Sequence, residues 1–372
     1  MRALLALLWL FPVATAGTSV TVAPHGQDRR WVLAEASVKS SGPIHVVDEK
    51  GNEVPSQADG GIVSWLVSSV AANQKPRFEV REGPSKLPSM SLADGPDGSI
   101  SIKGPDREIT RFYPSAGTAN KKPCFYPLMA GGVNVLRSYP LEDREGENKD
   151  HPHHTGIYHA LGDVNGTEYW SKTAITHKKI VKKEAGPAFA RIVAENHWGE
   201  DLVETWDVKV LNTGADAVVD FSITLRAANK PVVFAKNLKM AKEGSFGVRV
   251  ATGLTSKGDA PDMLTDSKGN KGEKEIRADT APWVHYSGTV DGKKVGVSVM
   301  NHPSSFRYPT TWHVRAYGLF AANPWIIKGE NTLAQGESLA LGYRVYAHGG
   351  EAAAGRPADV FAAFANAKAS AE

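Results

Sequence analysis

Histidine is concentrated in one short stretch of the sequence, Asp150–His159, which could carry out proton transfer. Four of the 12 histidines lie there: His151, His153, His154 and His159. An imidazole titrates near neutral pH, so it can donate and accept a proton, and its neutral ring is a common metal ligand. We interpret His153 and His154 as candidate catalytic residues, with Asp163 able to orient an imidazole.

The residues around these histidines suit the binding of a saccharide. His151 and Asn165 supply hydrogen-bonding groups, and Trp170 supplies a flat apolar ring. Carbohydrate sites combine such groups because a sugar carries hydroxyls on its rim and C–H groups on its face. We therefore interpret these three residues as candidates for substrate binding.

The local backbone decides whether the imidazoles could meet on one ligand. Pro152 disfavours a helical backbone at His151. In an extended segment His151 and His153 would point one way and His154 the other. The spacing matches neither the His-Glu-x-x-His motif of zinc proteases nor a two-histidine-one-carboxylate triad. A divalent metal is left open, no other cofactor is predicted, and structural polar packing is the alternative to a functional site.

A second group of polar and aromatic residues lies in a proline-punctuated stretch, Asn301–Arg315. The candidates there are His313 for catalysis and His302, Arg307, Trp312 and Arg315 for substrate binding. An arginine suits an anionic or hydroxyl-rich group because its guanidinium is a planar fork of donors. The two groups form one site only if this loop folds against the first histidines; otherwise it is a packed irregular loop. Five weaker candidates are interpreted as structural: Arg137, Lys236, Asn237, Glu243 and Arg249.

Alternation of apolar and polar residues predicts β-strands almost throughout the chain. The pattern is clearest over 206–210, 219–226 and 339–345, where one face of each strand would lie on a core. The predicted fold is all-β, a large antiparallel β-sandwich with a small N-terminal β-module and a short C-terminal helix. A galactose-mutarotase-like supersandwich is one candidate form of this sandwich. No glycine-rich phosphate loop joins a strand to a helix, so a nucleotide cofactor is not expected.

Composition shifts along the chain predict its organisation. The predicted segments are a signal peptide at 1–16, a small β-module at 17–85, a boundary segment at 86–108, the main β-sandwich at 109–349, and a C-terminal helix and tail at 350–372. The polar, glycine-rich stretch 255–274 is predicted to be an exposed loop.

The N-terminus has the pattern of an export signal. Arg2 precedes a short apolar run, Ala3–Phe11, and Ala14 and Ala16 form an Ala-x-Ala cleavage site. The run is shorter than the ~20 residues that a membrane-spanning helix needs. No cysteine follows the cleavage site to carry a lipid. We therefore expect a soluble mature protein that is periplasmic or secreted.

Composition also narrows the classes of partner. Basic residues number 43 and acidic residues 40, a net charge of +3, which is too small an excess to suggest a nucleic-acid-binding protein. Cys124 is the single cysteine, so the sequence offers no internal disulfide and no cysteine-based metal site. The expected partner is a saccharide or another small-molecule ligand, without nucleic acid and without a membrane span.

An ordered set of motifs resembles one known family. These motifs are Pro123–Leu128, Arg137–Pro140, His151–Gly156, Gly162–Trp170, Asn301–Pro303, Trp312–Arg315 and Tyr317–Pro324. The set, over about residues 100–349, is similar to exported bacterial proteins of unassigned function that are often labelled "methane oxygenase PmoA". The resemblance implies a β-sandwich protein of saccharide-degrading bacteria. The positions that it marks are His151, His153, His154, Asp163, Asn165, His302, His313 and Arg315.

Three functions compete on these residues. The first is a carbohydrate-active enzyme, a hydrolase, lyase or epimerase, in which one histidine is the general base and another the general acid. The second is a non-catalytic periplasmic glycan-binding protein that uses Trp170 and Trp312 as stacking platforms. The third is an oxidoreductase with a histidine-bound metal, which the family label suggests. Titratable histidines in a cleft favour the first, exposed tryptophans the second, and converging imidazole nitrogens the third.

Overall fold

The chain divides into two compact units. The computed structural model describes residues 13–15, 17–40, 42–115, 121–255, 263–366 and 369–371. The smaller unit contains the described residues of Met1–Pro88, Gly186–Ala188 and Ala362–Glu372, and the larger unit those of Ser89–Ala185 and Phe189–Phe361.

Strands make up most of the regular structure. The first are β1 (Val13–Thr15), β2 (Ser19–Val22), β3 (Arg29–Lys39), β4 (Ile44–Asp48), β5 (Glu53–Val54), β6 (Ser56–Asp59), β7 (Ile62–Val70), β8 (Arg77–Glu82), β9 (Ser91–Asp94) and β10 (Ile100–Lys103). Next are β11 (Glu108–Tyr113), β12 (Cys124–Ala130), β13 (Val133–Asn134), β14 (Ile157–Leu161), β15 (Thr176–Ala185), β16 (Phe189–Trp198), β17 (Leu202–Leu211), β18 (Ala217–Ala227), β19 (Val232–Phe234) and β20 (Gly244–Arg249). The last are β21 (Leu264–Asp266), β22 (Trp283–Val290), β23 (Lys293–Asn301), β24 (Trp312–Arg315), β25 (Leu319–Ala322), β26 (Asn331–Leu333), β27 (Ser338–Gly349) and β28 (Ala369–Ala371). The helices are α1 (Leu238–Ala241), α2 (Gly272–Ile276), α3 (Ala352–Gly355) and α4 (Pro357–Ala365), with a 3-10 turn at Thr252–Leu254.

The smaller unit is built from two sheets. Their strand orders are β1-β3-β7-β6 and β28-β2-β8-β4-β5. Trp65 of β7 and Phe78 of β8 meet between the sheets with ring centroids 5.8 Å apart, and small apolar side chains fill the rest of this core. Apart from Val13–Thr15, the predicted signal peptide at 1–16 lies outside the described residues.

The larger unit contains a sandwich of two large sheets. The first follows the order β24-β25-β20-β14-β12-β11-β10-β9, with β13 beside β12, and the second β15-β16-β17-β18-β27-β23-β22-β21. Phe125 of the first sheet stacks on Trp206 of the second at 6.0 Å between ring centroids. Phe246 and Tyr343 meet in the same way at 4.4 Å. Burial of these rings holds the sheets together.

A buried carboxylate also joins the two sheets. Glu204 Oε1 of β17 lies 2.6 Å from His159 Nδ1 of β14. Asn196 and Trp198 each donate a hydrogen bond to Glu204 Oε2 at 3.2 Å. A polar side chain buried this deeply costs folding free energy unless it is hydrogen-bonded. His159, the fourth member of the histidine-rich stretch, therefore belongs to the core.

The predicted all-β sandwich and short C-terminal helix are confirmed, whereas the loop expectation for 255–274 is wrong over 263–274; residues 256–262 lie outside the described residues. The stretch 255–274 contains β21, which pairs with β22, and most of α2. Both elements are too short for a periodic sequence signal. The predicted boundary segment 86–108 contains β9 and β10, which extend the first sheet. No helix among the described residues is long and apolar enough to cross a membrane.

Buried histidines make the stability of the fold sensitive to acid. Burial, together with the neighbouring His348, lowers the pKa of His285 to about 3, and His285 Nδ1 lies 2.9 Å from Ser298 Oγ. The unfolded chain protonates this imidazole below about pH 6.5, so folding stability falls from that pH towards pH 3.

We expect the His285→Gln variant to lose part of this acid sensitivity. The slope for one such group is about 1.4 kcal/mol per pH unit, and it should be missing from the unfolding free energy of the variant between pH 6 and 4. Urea denaturation at several pH values measures this slope. The control is His197→Gln, which replaces a partly exposed histidine. Equal slopes for wild type and His285→Gln would contradict the assignment.

Candidate functional site

The candidate site begins with a tight turn that presents three imidazoles. The His154 backbone N–H donates to the His151 carbonyl at 2.9 Å, and His151 takes a left-handed backbone with φ of 42°. The extended segment expected from Pro152 is therefore wrong, because proline also suits the second position of a turn. The turn brings His151, His153 and His154 together instead of dividing them between two faces.

The three imidazoles pack against one another and against two larger rings. His151 stacks on His154 at 4.9 Å and on Tyr317 at 5.1 Å between ring centroids. His153 meets His154 edge-on at 4.3 Å, and Trp170 lies 5.1 Å from His154. We call these five residues the imidazole cluster.

The Arg137 side chain fixes the backbone of the turn at His151–His154. Its buried guanidinium donates to the carbonyl oxygens of Asp150 at 2.6 Å, His151 at 2.9 Å and His154 at 2.8 Å. It also donates to Asp150 Oδ1 at 2.7 Å. A desolvated guanidinium needs such acceptors, so the backbone of the turn is fixed by one side chain.

Asp150 is shared by two arginines and a histidine. Arg249 Nη2 donates to Asp150 Oδ1 at 2.8 Å, and His151 Nδ1 lies 3.0 Å from Oδ2. Burial alone would raise the pKa of Asp150, but Arg249, His151 and Arg137 together lower it. Burial and Arg249 lower the pKa of Arg137 to about 10, so the Arg137 guanidinium and the Asp150 carboxylate are charged at neutral pH.

A lysine lies beneath the cluster among aromatic rings. Lys122 Nζ donates to the Trp170 carbonyl at 2.7 Å and lies 4.8 Å from the centroid of the Tyr158 ring. Burial lowers the pKa of Lys122 to about 7. The Tyr158 hydroxyl has no hydrogen-bond partner among the described residues, and burial raises its pKa well above the ordinary value.

The surroundings keep the central imidazoles neutral. Burial, then Lys122 and His151, lower the pKa of His153 to about 4. Burial, then His153 and Arg249, bring the pKa of His154 well below its ordinary value. His154 is 2% exposed, whereas His153 is only partly buried. His153 can therefore accept a proton from a ligand, while the buried His154 ring packs against His153 and holds it in position.

Two glycines make room for this arrangement. Gly156 has a φ of 61°, and a Cβ there would lie 2.2 Å from the Phe125 carbonyl oxygen, so only glycine lets the turn pass beside β12. Gly247 of β20 lies under the Tyr158 ring, where a Cβ would come within 2.8 Å of Tyr158 Cζ. The tyrosine ring therefore lies flat over the sheet.

Register places His313 on the same sheet face as the imidazole cluster. Tyr158 pairs with Gly247, Gly247 with Ala321, and Ala321 with His313. Directly paired residues share a face, so His313 is three strands away from Tyr158, about 14 Å at normal strand spacing. His313 Nδ1 lies 3.7 Å from Glu243 Oε2, too far for a hydrogen bond.

Two predicted site residues stabilise a turn instead. Asp163 Oδ1 accepts from the Gly166 backbone N–H at 3.0 Å and Oδ2 from the Asn237 N–H at 2.5 Å. Asn165 Oδ1 accepts from the Val233 N–H at 2.8 Å. Asp163 is fully buried and does not orient an imidazole, because both carboxylate oxygens bind backbone groups.

The predicted residues of 301–315 divide between the core and the surface. Trp312 is fully buried and donates to the Ala281 carbonyl at 2.8 Å, so it is no exposed stacking platform. Arg307 donates to the Gly329 carbonyl at 2.7 Å. His302 Nδ1 lies 2.7 Å from Ser304 Oγ.

Arg315 lies at the edge of the imidazole cluster. Its guanidinium is 5.8 Å from the Tyr317 ring centroid, and it donates to Glu273 Oε1 at 2.9 Å. Of the predicted site residues, the structure thus brings together His151, His153, His154 and Trp170, with Arg315 beside them.

Several residues that surround the imidazole cluster have no clear sequence signal. Tyr158 lies in a strand whose five residues are all buried, so alternation gives no hint of its face. Lys122 precedes β12 as one of two adjacent lysines. The sequence predicts structural roles for Arg137 and Arg249. Each is a lone basic residue next to buried apolar positions, and this pattern is typical of a buried polar contact.

The described residues contain no group of three or more histidine, cysteine, aspartate or glutamate side chains arranged to hold a metal ion. In the imidazole cluster the histidines pack ring against ring. The cluster therefore offers ring faces and single nitrogens to a ligand.

Sequence comparison identifies the family. Residues 99–362 match the family described as "Family of unknown function (DUF6807)". The chain belongs to this family. The match covers every residue of the imidazole cluster, so the cluster is part of the DUF6807 region. None of the curated proteins matches the chain.

Three solved structures are similar to the chain at low identity. An alpha-mannosidase from Enterococcus faecalis V583 has a TM-score of 0.45 at 12% identity, over 96% of this chain and 46% of that chain. GH36 alpha-galactosidase AgaB from Geobacillus stearothermophilus has 0.40 at 10%, over 70% and 41%. A heparan sulfate lyase HepC mutant from Pedobacter heparinus has 0.38 at 10%, over 73% and 38%. The chain spans less than half the length of these structures.

We expect Arg137→Met to destabilise the protein strongly. The substitution leaves three carbonyls of the turn without their donor and should lower the unfolding free energy by about 3 kcal/mol. Arg144→Met is the control, because Arg144 forms an exposed pair with Asp291 and should cost no more than about 1 kcal/mol. Denaturant unfolding measures both values. A loss for Arg137→Met as small as the control would refute the role of Arg137.

Proposed function

We propose that the protein is an exported carbohydrate-active enzyme in which His153 accepts a proton from a saccharide. The observation that carries the proposal is the position of His153, a partly buried, neutral imidazole held in a fixed turn beside aromatic ring faces. Export rests on the predicted signal peptide at 1–16.

His153 is the member of the cluster suited to act on a ligand. It is more accessible than His154 and less exposed than His151, whose side chain is 42% exposed. A neutral imidazole accepts a proton, and a preorganised base needs no rearrangement before it reacts. His153 is therefore the proposed general base.

The neighbouring groups act as positioning residues. His154 Nδ1 lies 3.4 Å from Arg249 Nη1, and Asp150 ties Arg249 to Arg137. These contacts fix the ring of His154, against which His153 packs. Geometry of this precision is what proton transfer requires.

The site combines aromatic and polar groups that suit a saccharide. Tyr317 supplies a partly exposed aromatic ring, Trp170 is buried behind the histidines and offers no open face, and His151 and Arg315 supply polar groups at the edge. A sugar presents both C–H faces and hydroxyls to such a surface. The resemblance of the motifs to proteins of saccharide-degrading bacteria points the same way. Hydrolases, lyases and epimerases all require a proton-transfer step, and the proposal covers that shared step.

We expect His153→Ala to lose most turnover on the saccharide that the protein converts. General acid–base groups typically contribute about 10²–10⁴-fold in rate, so the loss in kcat/KM should be of that order with little change in stability. The substrate is found by screening the purified protein on glycosides and oxidised sugars. The matched control is His197→Ala, on the other sheet of the sandwich, which should keep wild-type activity.

The same screen separates the competing functions. Loss of activity on chelation would favour the metal-dependent alternative over His153 chemistry. Tight sugar binding without any product would favour a glycan-binding protein. Turnover that survives in His153→Ala would show that this imidazole is not the base.

We expect Lys122→Met to shift the acid limb of the pH–rate profile towards neutral pH. Wild-type kcat/KM should fall as pH drops through about 4, because His153 becomes protonated there. The Lys122 cation contributes to that low pKa after burial, so its removal raises the pKa of His153. The control is Lys121→Met, since Lys121 is exposed and donates to the Lys172 carbonyl. An acid limb that does not move would contradict the coupling.

A further inference from the structure

A cavity lies on the same sheet face as the imidazole cluster, beside His313. Its volume is about 400 Å³, and the turn after α1, helix α2 and strand β24 line it. The imidazole cluster does not contribute to its walls. The proposed proton transfer at His153 does not use this cavity. Its lining residues are therefore free to contact a different part of a ligand.

The cavity carries an excess of positive charge. Lys242, Lys274 and Arg277 line it, and Glu273 is the acidic residue among the lining side chains. Glu273 is already engaged, because its carboxylate accepts from Arg315 at 2.9 Å and from the Ala316 backbone N–H at 2.8 Å. Its distance to Arg277 is 3.7 Å. A second carboxylate lies next to the cavity, because Glu243 Oε2 is 3.7 Å from His313 Nδ1. Three cations thus face two carboxylates, and the cavity keeps a net positive charge for an anionic ligand.

His313 adds a buried polar group to this cavity. It is 4% exposed, and its Nδ1 has no hydrogen-bond partner among the described residues. Burial, followed by Arg277, Arg315 and Lys242, lowers the pKa of His313 to about 3, so the ring is neutral. A neutral imidazole can donate one hydrogen bond to an oxygen without adding charge.

An apolar side chain completes the cavity wall. Ile326 is partly exposed and lines the cavity together with the cations, whereas the Trp312 ring is fully buried and offers no open face. A small inorganic anion has no apolar surface to place there, whereas an acidic sugar has C–H groups next to its charge. The combination of an apolar wall with cations therefore fits a charged saccharide better than a free anion.

The cavity and the imidazole cluster lie at the two ends of one row of paired residues. The row Tyr158–Gly247–Ala321–His313 crosses four neighbouring strands, and its two central residues are buried. The cavity is therefore about three strand spacings, roughly 14 Å, from the floor of the imidazole cluster. A ligand that contacts both ends must be longer than one sugar unit.

We infer that the cavity beside His313 binds the anionic group of an acidic saccharide, a carboxylate or a sulfate. Arg277 and Lys242 would pair with the anion, and His313 would donate to a neighbouring oxygen. The inference rests on the proposed function, and it deepens it by naming acidic sugars as the substrate class.

The test compares binding of D-glucuronate, D-glucose and inorganic sulfate to the full chain by isothermal titration calorimetry. We expect glucuronate to bind about 10- to 100-fold more tightly than glucose, as for a ligand with charge-assisted hydrogen bonds. The double variant Lys242→Met/Arg277→Met should lose this preference and keep the glucose affinity. The control pair Lys328→Met/Arg144→Met replaces two cations outside the cavity and should behave as wild type.

Other results would overturn the inference. Equal affinities for glucuronate and glucose would show that the cavity does not bind the anionic group. A preference for glucuronate that survives in the double variant would show the same for Lys242 and Arg277. If sulfate binds as tightly as glucuronate, with the same dependence on Lys242 and Arg277, the cavity is a site for a free anion and not for a saccharide.

A third variant separates this inference from the proposed function. His153→Ala should bind glucuronate with wild-type affinity, because His153 does not line the cavity. Loss of glucuronate binding in His153→Ala would move the anion to the imidazole cluster and overturn the inference. Absence of any turnover, with glucuronate binding still dependent on Lys242 and Arg277, would leave the cavity assignment standing and defeat the proposed function.

Discussion

The candidate site depends on one constraint, the need of two buried guanidinium groups for acceptors. Arg137 and Arg249 are each 1% exposed, and a charge removed from water must find partners. Asp150 supplies a carboxylate to both, and the backbone carbonyls of the turn supply the rest to Arg137. The arginines therefore set the conformation of the turn that carries the imidazoles, and this turn fixes the position of His153.

Strand β14 connects this site to the core. Its residues alternate between two environments: Tyr158 faces the imidazole cluster, whereas His159 faces the inter-sheet core and meets Glu204. The aromatic contacts between the sheets fix the strand from behind. A rigid sheet under irregular loops is a common way of holding functional groups. The same sheet face extends to His313, so one scaffold positions both the imidazole cluster and the charged cavity.

Strand alternation was enough to predict the sandwich, and histidine density was enough to locate the turn. The conformation of the turn was not predictable, because Pro152 allows both an extended segment and a turn, and the choice depends on Arg137, distant in sequence. Asp163 and Trp312 have residue types that suit a site, but their hydrogen bonds to backbone groups could be seen only in the fold. Lys122 and Tyr158 were missed because contact with Trp170, not spacing, gives them their environment.

The central claim is that a saccharide reacts at His153 on the outer face of the first sheet. The most direct test is a crystal structure of the protein with a saccharide substrate or product bound. The account predicts that a sugar oxygen, or the carbon atom that carries the reacting proton, lies within about 3.2 Å of an imidazole nitrogen of His153, and that the Tyr317 ring lies against the sugar. A saccharide bound elsewhere, with His153 in contact only with protein groups, would contradict it.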